Sequence, residues 1–192
     1  MSLADFAVRD DIEKYLRKEF DRLREEHKGT LPASWPGDNV VMVLIDRSTG
    51  QFVYVTTVIK FLSIGEVPVT PLQRLEVVLR AEPVSESASP YPELDQLYSQ
   101  ILRFCRNNDR KLQRVLQLIV SPVGDLGLPK TFTLLGSPPV VPTSAITIEH
   151  LLGLGQGEVT ALLSGLHSIL HIPEDRAEGV SVVTPVLWKT DF

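Results

Sequence analysis

Two histidines four apart, a single cysteine and a glycine-rich turn are the residues here that most invite a chemical reading. His167 and His171 would share one face if a helix ran through both, which is how metal-binding histidine pairs are often set. No third ligand stands at a helpful spacing, and Ile172-Pro173 is expected to end a helix near His171. No metal site is therefore expected, and exposed or hydrogen-bonded histidines are the plainer reading. His27 and His150 are isolated. Cys105 falls on the apolar side of its segment, as a buried, unreactive thiol would. There is no Gly-x-Ser-x-Gly elbow to expose a nucleophilic serine. The string GLGQG at 153–157 lacks the lysine and the preceding strand of a phosphate-binding loop, and GxxxxGK[ST] does not occur. These residues assemble no catalytic set. The expectation is a non-catalytic chain without a cofactor.

The elements that would position such residues read as mostly helical. In residues 10–27, Ile12, Leu16, Phe20 and Leu23 recur at helical spacing, with Tyr15 widening the stripe and Gly29 ending it. Asp38 or Asn39 is expected to cap a helix through VVMVLIDRS, and Gly50 to turn into QFVYVTTVIKFL. The second of these is apolar nearly all round, as a central buried helix would be, although its β-branched residues also suit a strand. Thr70-Pro71 signals another helix start, and AEPVSESASPYP a loop. Leu94, Leu97, Tyr98, Ile101 and Leu102 then share a helix face, and Asp109 is expected to cap RKLQRVLQLIV before Pro122.

Five prolines between 121 and 146 exclude a regular helix there and mark a boundary, with room for a short extended piece near TFTLL. Beyond it, Thr147 is expected to cap a helix, Gly153 and Gly155 to turn, and residues 157–170 to form a second helix. Val159, Leu162, Leu163, Leu166 and Ile169 would face inward. LHI and GVSVV, separated by PEDRAEG, have the pattern of a hairpin. Helix, tight turn, helix and hairpin is the order of a winged helix. The fold class expected is mainly α: a helical bundle followed by a winged-helix-like unit with a small β-hairpin. The division expected is 1–37, amphipathic helix and linker; 38–120, helical subdomain; 121–144, proline-rich connection; and 145–192, winged-helix-like subdomain.

Composition narrows the function classes. The 192 residues are 43% hydrophobic and 22% charged, ordinary globular values. Mean hydropathy is slightly apolar at +0.07, in keeping with some surface that takes a partner. The net charge is −5, and residues 121–192 hold only three Lys or Arg against seven Asp or Glu. DNA demands basic residues on a recognition helix, yet 157–170 contain none, so nucleic acid is not an expected partner. No signal peptide or membrane span is read, and the lone cysteine fits a reducing compartment, so the cytoplasm is expected.

Specific strings go further than periodicity. Residues 11–20 (DIEKYLRKEF), 31–62 (LPASWPGDNVVMVLIDRSTGQFVYVTTVIKFL), 90–102 (PYPELDQLYSQIL) and 151–175 (LLGLGQGEVTALLSGLHSILHIPED) stand in the family's order. The chain thereby resembles the NACHT-type signalling NTPases of mushroom-forming fungi, members of the broader STAND class of nucleotide-switched proteins. That resemblance implies the tail of a P-loop domain, a helical subdomain around Trp35–Leu79, further helices and a winged helix near Ala145–Val186. It places STGQFVYVTT where related switches carry a Gly-Leu-Pro-Leu motif whose proline approaches adenine. Gly50 keeps the glycine and Phe52 stands where proline would be, which makes Phe52 a candidate nucleotide-facing residue; the alternative is a core phenylalanine. The phosphate- and magnesium-binding motifs of the family have no counterpart here, and VSVVTPVLWKTDF replaces its usual His-Ala-Ser-Phe-like continuation. The resemblance thus implies a chain truncated at both ends that neither hydrolyses ATP nor binds it tightly. Its expected role is a regulatory or interaction module whose partner is a protein, namely a P-loop domain or a related NACHT protein. The alternatives are part of an NTPase completed by a missing P-loop domain, and a winged-helix DNA-binding regulator, which the acidic charge disfavours.

Overall fold

Helix α1 (Leu3–Glu26) begins six residues before the first charged run, Arg9-Asp10-Asp11, and carries the stripe on which the first part of the chain is built. The computed structural model describes residues 3–65, 69–80, 90–105, 110–120 and 143–182. Within them the fold is mainly α with one small antiparallel hairpin, in two compact units, 1–104 and 105–192.

In the first unit, Ile12, Leu16, Phe20 and Leu23 of α1 are all buried, as their spacing predicts. Each such side chain contributes roughly 1.5–3 kcal/mol on leaving water. Phe20 meets Trp35 edge to face, with ring centroids 5.2 Å apart. Arg24 donates to the carbonyls of Ala33 (3.0 Å) and Trp35 (3.4 Å), and so holds the linker against α1.

Helix α2 spans Asp38–Ser48. Its cap is Gly37 at φ 86°, not Asp38 or Asn39, and no side chain caps it. Only glycine takes that φ without strain, so the helix starts one residue earlier than the polar side chains announce. Asp38 sits instead in the first turn, where its carboxylate suits the helix dipole and accepts from Arg17 Nη1 at 2.7 Å. Helix α2 ends at Thr49, which is left-handed at φ 48°, followed by Gly50 at φ 80°.

Helix α3 (Phe52–Leu62) is central, with Tyr54, Val55, Thr57, Val58, Ile59, Phe61 and Leu62 buried. Burial on nearly every side outweighs the strand preference of its β-branched residues. Helix α4 (Pro71–Leu79) opens with the expected Thr70 cap and Pro71, and Gln73 completes a reciprocal capping box. Helix α5 (Pro92–Cys105) buries Leu94, Leu97 and Ile101, while Tyr98 and Leu102 are half-buried.

Arg74 of α4 is 2% exposed. Its guanidinium lies 5.2 Å from the ring centroid of Phe61 and 5.7 Å from that of Phe104, and the two rings pack at 90°. A cation over desolvated ring faces gains about 2 kcal/mol, which offsets part of its lost hydration. Arg47 spans another junction: it donates to the carbonyls of Val78 (3.0 Å) and Leu79 (3.2 Å) at the negative end of α4.

In the second unit, α6 (Arg110–Val120) packs against α7 (Ala145–Leu152), α8 (Glu158–Leu163) and strand β2 (Ser181–Val182). The sequence division had set α6 with residues 38–120; its buried face, Leu112, Val115 and Ile119, faces the later elements instead. Strand β1 (Leu170–His171) pairs antiparallel with β2, Leu170 opposite Val182 and His171 opposite Ser181. A bridge from Ser144 to Gly179 extends this pairing. Three helices and a hairpin thus follow in winged-helix order.

Two details differ from expectation. The cap of α7 is Ser144, whose hydroxyl accepts from the Thr147 amide at 3.2 Å; Thr147 is the third residue of the helix and donates to the cap. The second helix stops at Leu163 and tightens into a 3₁₀ turn over Ser164–Leu166. Ser164 donates to the Ala161 carbonyl and Gly165 follows, a pair that loosens a helix. Val159, Leu163, Leu166 and Ile169 are nonetheless buried, with Leu162 half-buried. The Asp109 cap, Pro122, TFTLL, most of AEPVSESASPYP and most of the 121–144 connection lie outside the described residues.

The reassigned cap is testable by urea denaturation. Ser144→Ala is expected to lower stability by about 1 kcal/mol, and Thr147→Ala by clearly less. The reverse order would restore the cap to Thr147.

Candidate functional site

The turn from α2 to α3 joins the candidate residue Phe52 to two consecutive residues at positive φ, Thr49 and Gly50. Thr49 is the one non-glycine residue with positive φ among those described. A β-branched residue there is uncommon and costs on the order of 1 kcal/mol or more. Ser48, which is buried, holds the turn: its hydroxyl donates to the Ile45 carbonyl (2.7 Å) and accepts from the Gly50 amide (3.3 Å). Gly50 also lies against α1; a Cβ there would sit 3.9 Å from Val8 Cγ1, so its left-handed φ rather than crowding requires glycine.

Beside this turn opens a hollow of about 350 Å³, lined by Val8, Arg9, Ile12, Ile45, Asp46, Ser48, Thr49 and Gly50. Arg9 Nη2 donates to Asp46 Oδ1 at 2.5 Å across its rim. Val8, Ile12 and Ile45 supply an apolar wall. Its polar side chains are hydrogen-bonded: Asp46 to Arg9, Ser48 to the Ile45 carbonyl and the Gly50 amide, and Thr49 to Gln51.

Phe52 occupies the first turn of α3 and is 41% exposed. The core reading of this residue is therefore corrected: its ring packs edge to face with Tyr15, centroids 5.8 Å apart, while part of it stays exposed to solvent. A first-turn position points away from the buried length of the helix, which composition alone does not reveal. Burial, with Glu19 adding to it, pushes the Tyr15 phenol above its ordinary pKa.

The remaining candidates are not brought together. His167 closes the 3₁₀ turn and His171 lies in β1, both exposed, so the shared helix face does not exist. No cluster of three or more His, Cys, Asp or Glu suited to a metal is found among the described residues. Cys105 is half-buried rather than fully buried, with Sγ 3.1 Å from the Gly165 carbonyl. No described helix is long and apolar enough to cross a membrane.

One polar centre escaped the sequence reading. Glu149 of α7 is 6% exposed. Its Oε1 accepts from the amides of Gly157 (2.9 Å) and Val159 (3.3 Å), at the start of α8, and its Oε2 pairs with Arg176 in the hairpin connection. One carboxylate thus holds α7, the α8 start and the hairpin. The only signal in the sequence was an acid at a position whose helical neighbours are buried. Nearby, Glu158 accepts from Lys111 of α6 and from the Gly155 amide, and these bonds, the Lys111 bond foremost, hold its carboxyl below the usual range.

No protein-family profile, curated protein or solved structure matches the chain.

Two expectations follow from these bonds. Glu149→Ala strands Arg176 and two helix-start amides, and is expected to lower the stability of the second unit by roughly 3–5 kcal/mol in urea melts; a loss near zero would show that the carboxylate anchors nothing. For Glu158, a depressed folded pKa means its stabilisation is present above the unfolded value and lost as pH falls through the folded one. Carboxyl NMR titration should place Glu158 below an ordinary glutamate, and Lys111→Gln should raise it.

Proposed function

We propose that the chain is a non-catalytic regulatory and interaction module, related to the helical and winged-helix part of NACHT-type nucleotide-switched signalling proteins. The observation that carries this reading is the exposure of Phe52 at the α2–α3 turn, beside the hollow that Val8, Arg9 and Gly50 line. A large ring left open at the head of the most buried helix suits a surface that another protein covers. The resemblance in sequence assigns this turn to the nucleotide-facing side of the family's helical subdomain, against a P-loop domain.

In this reading the chain responds to a nucleotide held elsewhere. A helical and winged-helix pair of this kind couples nucleotide state to assembly through contacts that differ between closed and open states. The sequence has no GxxxxGK[ST] loop to grip phosphates, in keeping with a module that contributes contacts rather than turnover. The lack of Lys and Arg over 157–170 favours a protein over DNA as the winged-helix partner. The cytoplasm is the compartment that fits a single half-buried thiol.

The test mixes the chain with the purified P-loop domain of a mushroom-type NACHT protein and follows binding by calorimetry. Saturable binding is expected, about tenfold weaker for Phe52→Ser, a loss of about 1.4 kcal/mol. ATP turnover by the chain alone, or a shift of random duplex DNA at low salt, would overturn the reading.

A further inference from the structure

The arginines of α1 and those of α6 differ in their partners. On α1 every arginine has a carboxylate: Arg9 pairs with Asp46, Arg17 with Glu13 and Asp38, Arg22 with Glu19 and Glu26, and Arg24 with Asp21. On α6 the situation is reversed. Its first five residues hold Arg110, Lys111 and Arg114, and the helix contains no acid. Lys111 is held by Glu158. Arg110 and Arg114 are exposed, and neither has an ion pair with any other described residue.

This placement works against the helix. Cations near its start oppose the dipole, and like charges at i and i+4 repel. Whereas α1 pairs each of its arginines with a carboxylate, α6 leaves two of them one turn apart, at the spacing that meets carboxylates on a second element. The same stripe continues through Gln117 to Val120, which is 64% exposed, the last residue of α6. Arg110, Arg114, Gln117 and Val120 thus run along one side of the helix, basic at one end and apolar at the other. The buried side, Leu112, Val115 and Ile119, is already committed to the core of the second unit.

We infer that the outer face of α6 is a docking surface for an acidic amphipathic segment of a partner protein. Two carboxylates of that segment meet Arg110 and Arg114, and an apolar side chain covers Val120. Arginine suits this role because its planar fork takes a carboxylate bidentately. Charge complementarity selects the occupant. The second unit also carries the acids Glu158, Glu174, Asp175 and Glu178, so a polyanion long enough to run across the whole unit meets repulsion where a short acidic segment does not. The inference rests on the interaction-module reading but names a surface separate from the Phe52 turn.

The test uses the full chain and a fluorescein-labelled peptide of Glu-Glu-Leu-Leu repeats, followed by anisotropy at low salt. A Gln-Gln-Leu-Leu peptide and a random duplex DNA serve as comparison probes. Binding of the acidic peptide is expected, weakening with added salt. It should fall at least tenfold in R110E/R114E and several-fold in Val120→Ser, while Lys60→Glu, on α3, leaves it unchanged. These changes are on the surface, and unchanged melting curves and circular dichroism confirm that each variant is folded. R110Q/R114Q serves as the milder pair should charge reversal disturb the fold. No binding of the acidic peptide, equal binding of the glutamine peptide, indifference to the arginine changes, or stronger binding of DNA would each overturn the proposal. Because the P-loop-domain experiment reads Phe52 and this one reads α6, the two readings fail separately.

Discussion

The second unit depends on one carboxylate. Glu149 is buried on α7, and three donors converge on it from two other places: the Gly157 and Val159 amides at the start of α8, and the Arg176 guanidinium of the hairpin connection. A helix of only six residues, such as α8, has little stability of its own. Its first amides need acceptors, and Gly157, at φ 83°, has no side chain to offer one. Glu149 supplies that acceptor from a neighbouring helix and, through Arg176, fixes where the hairpin returns. The apolar contacts of Ile148, Val159, Leu163 and Leu166 then fill a frame whose corners are already set.

The first unit solves the same problem with arginine. Arg47 meets the open carbonyls at the end of α4, Arg24 those of the linker, Arg9 and Arg17 the two ends of α2, and Arg74 is held over aromatic faces. Surface pairs such as Arg9–Asp46 are each worth about 0–1 kcal/mol, so their effect is to set register more than to add stability. The burial of α3 supplies the larger share. Among the groups left exposed are the Phe52 ring, beside the hollow at Gly50, and the outer side of α6.

Much of the architecture was legible in the sequence because periodicity reports burial. Ile12, Leu16, Phe20 and Leu23 predicted the inner face of α1, and Thr70-Pro71 located α4 to the residue. The caps of α2 and α7 were less so. Gly37 and Ser144 win over Asp38 and Thr147 because capping depends on the φ and ψ of one residue, which the chain on either side decides. The candidate site was legible only in outline. The Gly50 turn follows from residue type, but whether Phe52 faces the core or solvent depends on how α1 crosses the head of α3. Glu149 was hidden for a stronger reason: its partners lie 8 to 27 residues away and meet only on folding. The helical pair His167 and His171 failed because Ser164-Gly165 ends the helix before either residue.

We propose that the α2–α3 turn is where the chain meets a P-loop domain. Hydrogen–deuterium exchange of the chain, alone and with the P-loop domain of a mushroom-type NACHT protein, measures this most directly. Slowed exchange concentrated in residues 48–54, with the interior of α5 unchanged, is the predicted result. Protection confined to other segments, or none at saturating partner, would contradict it.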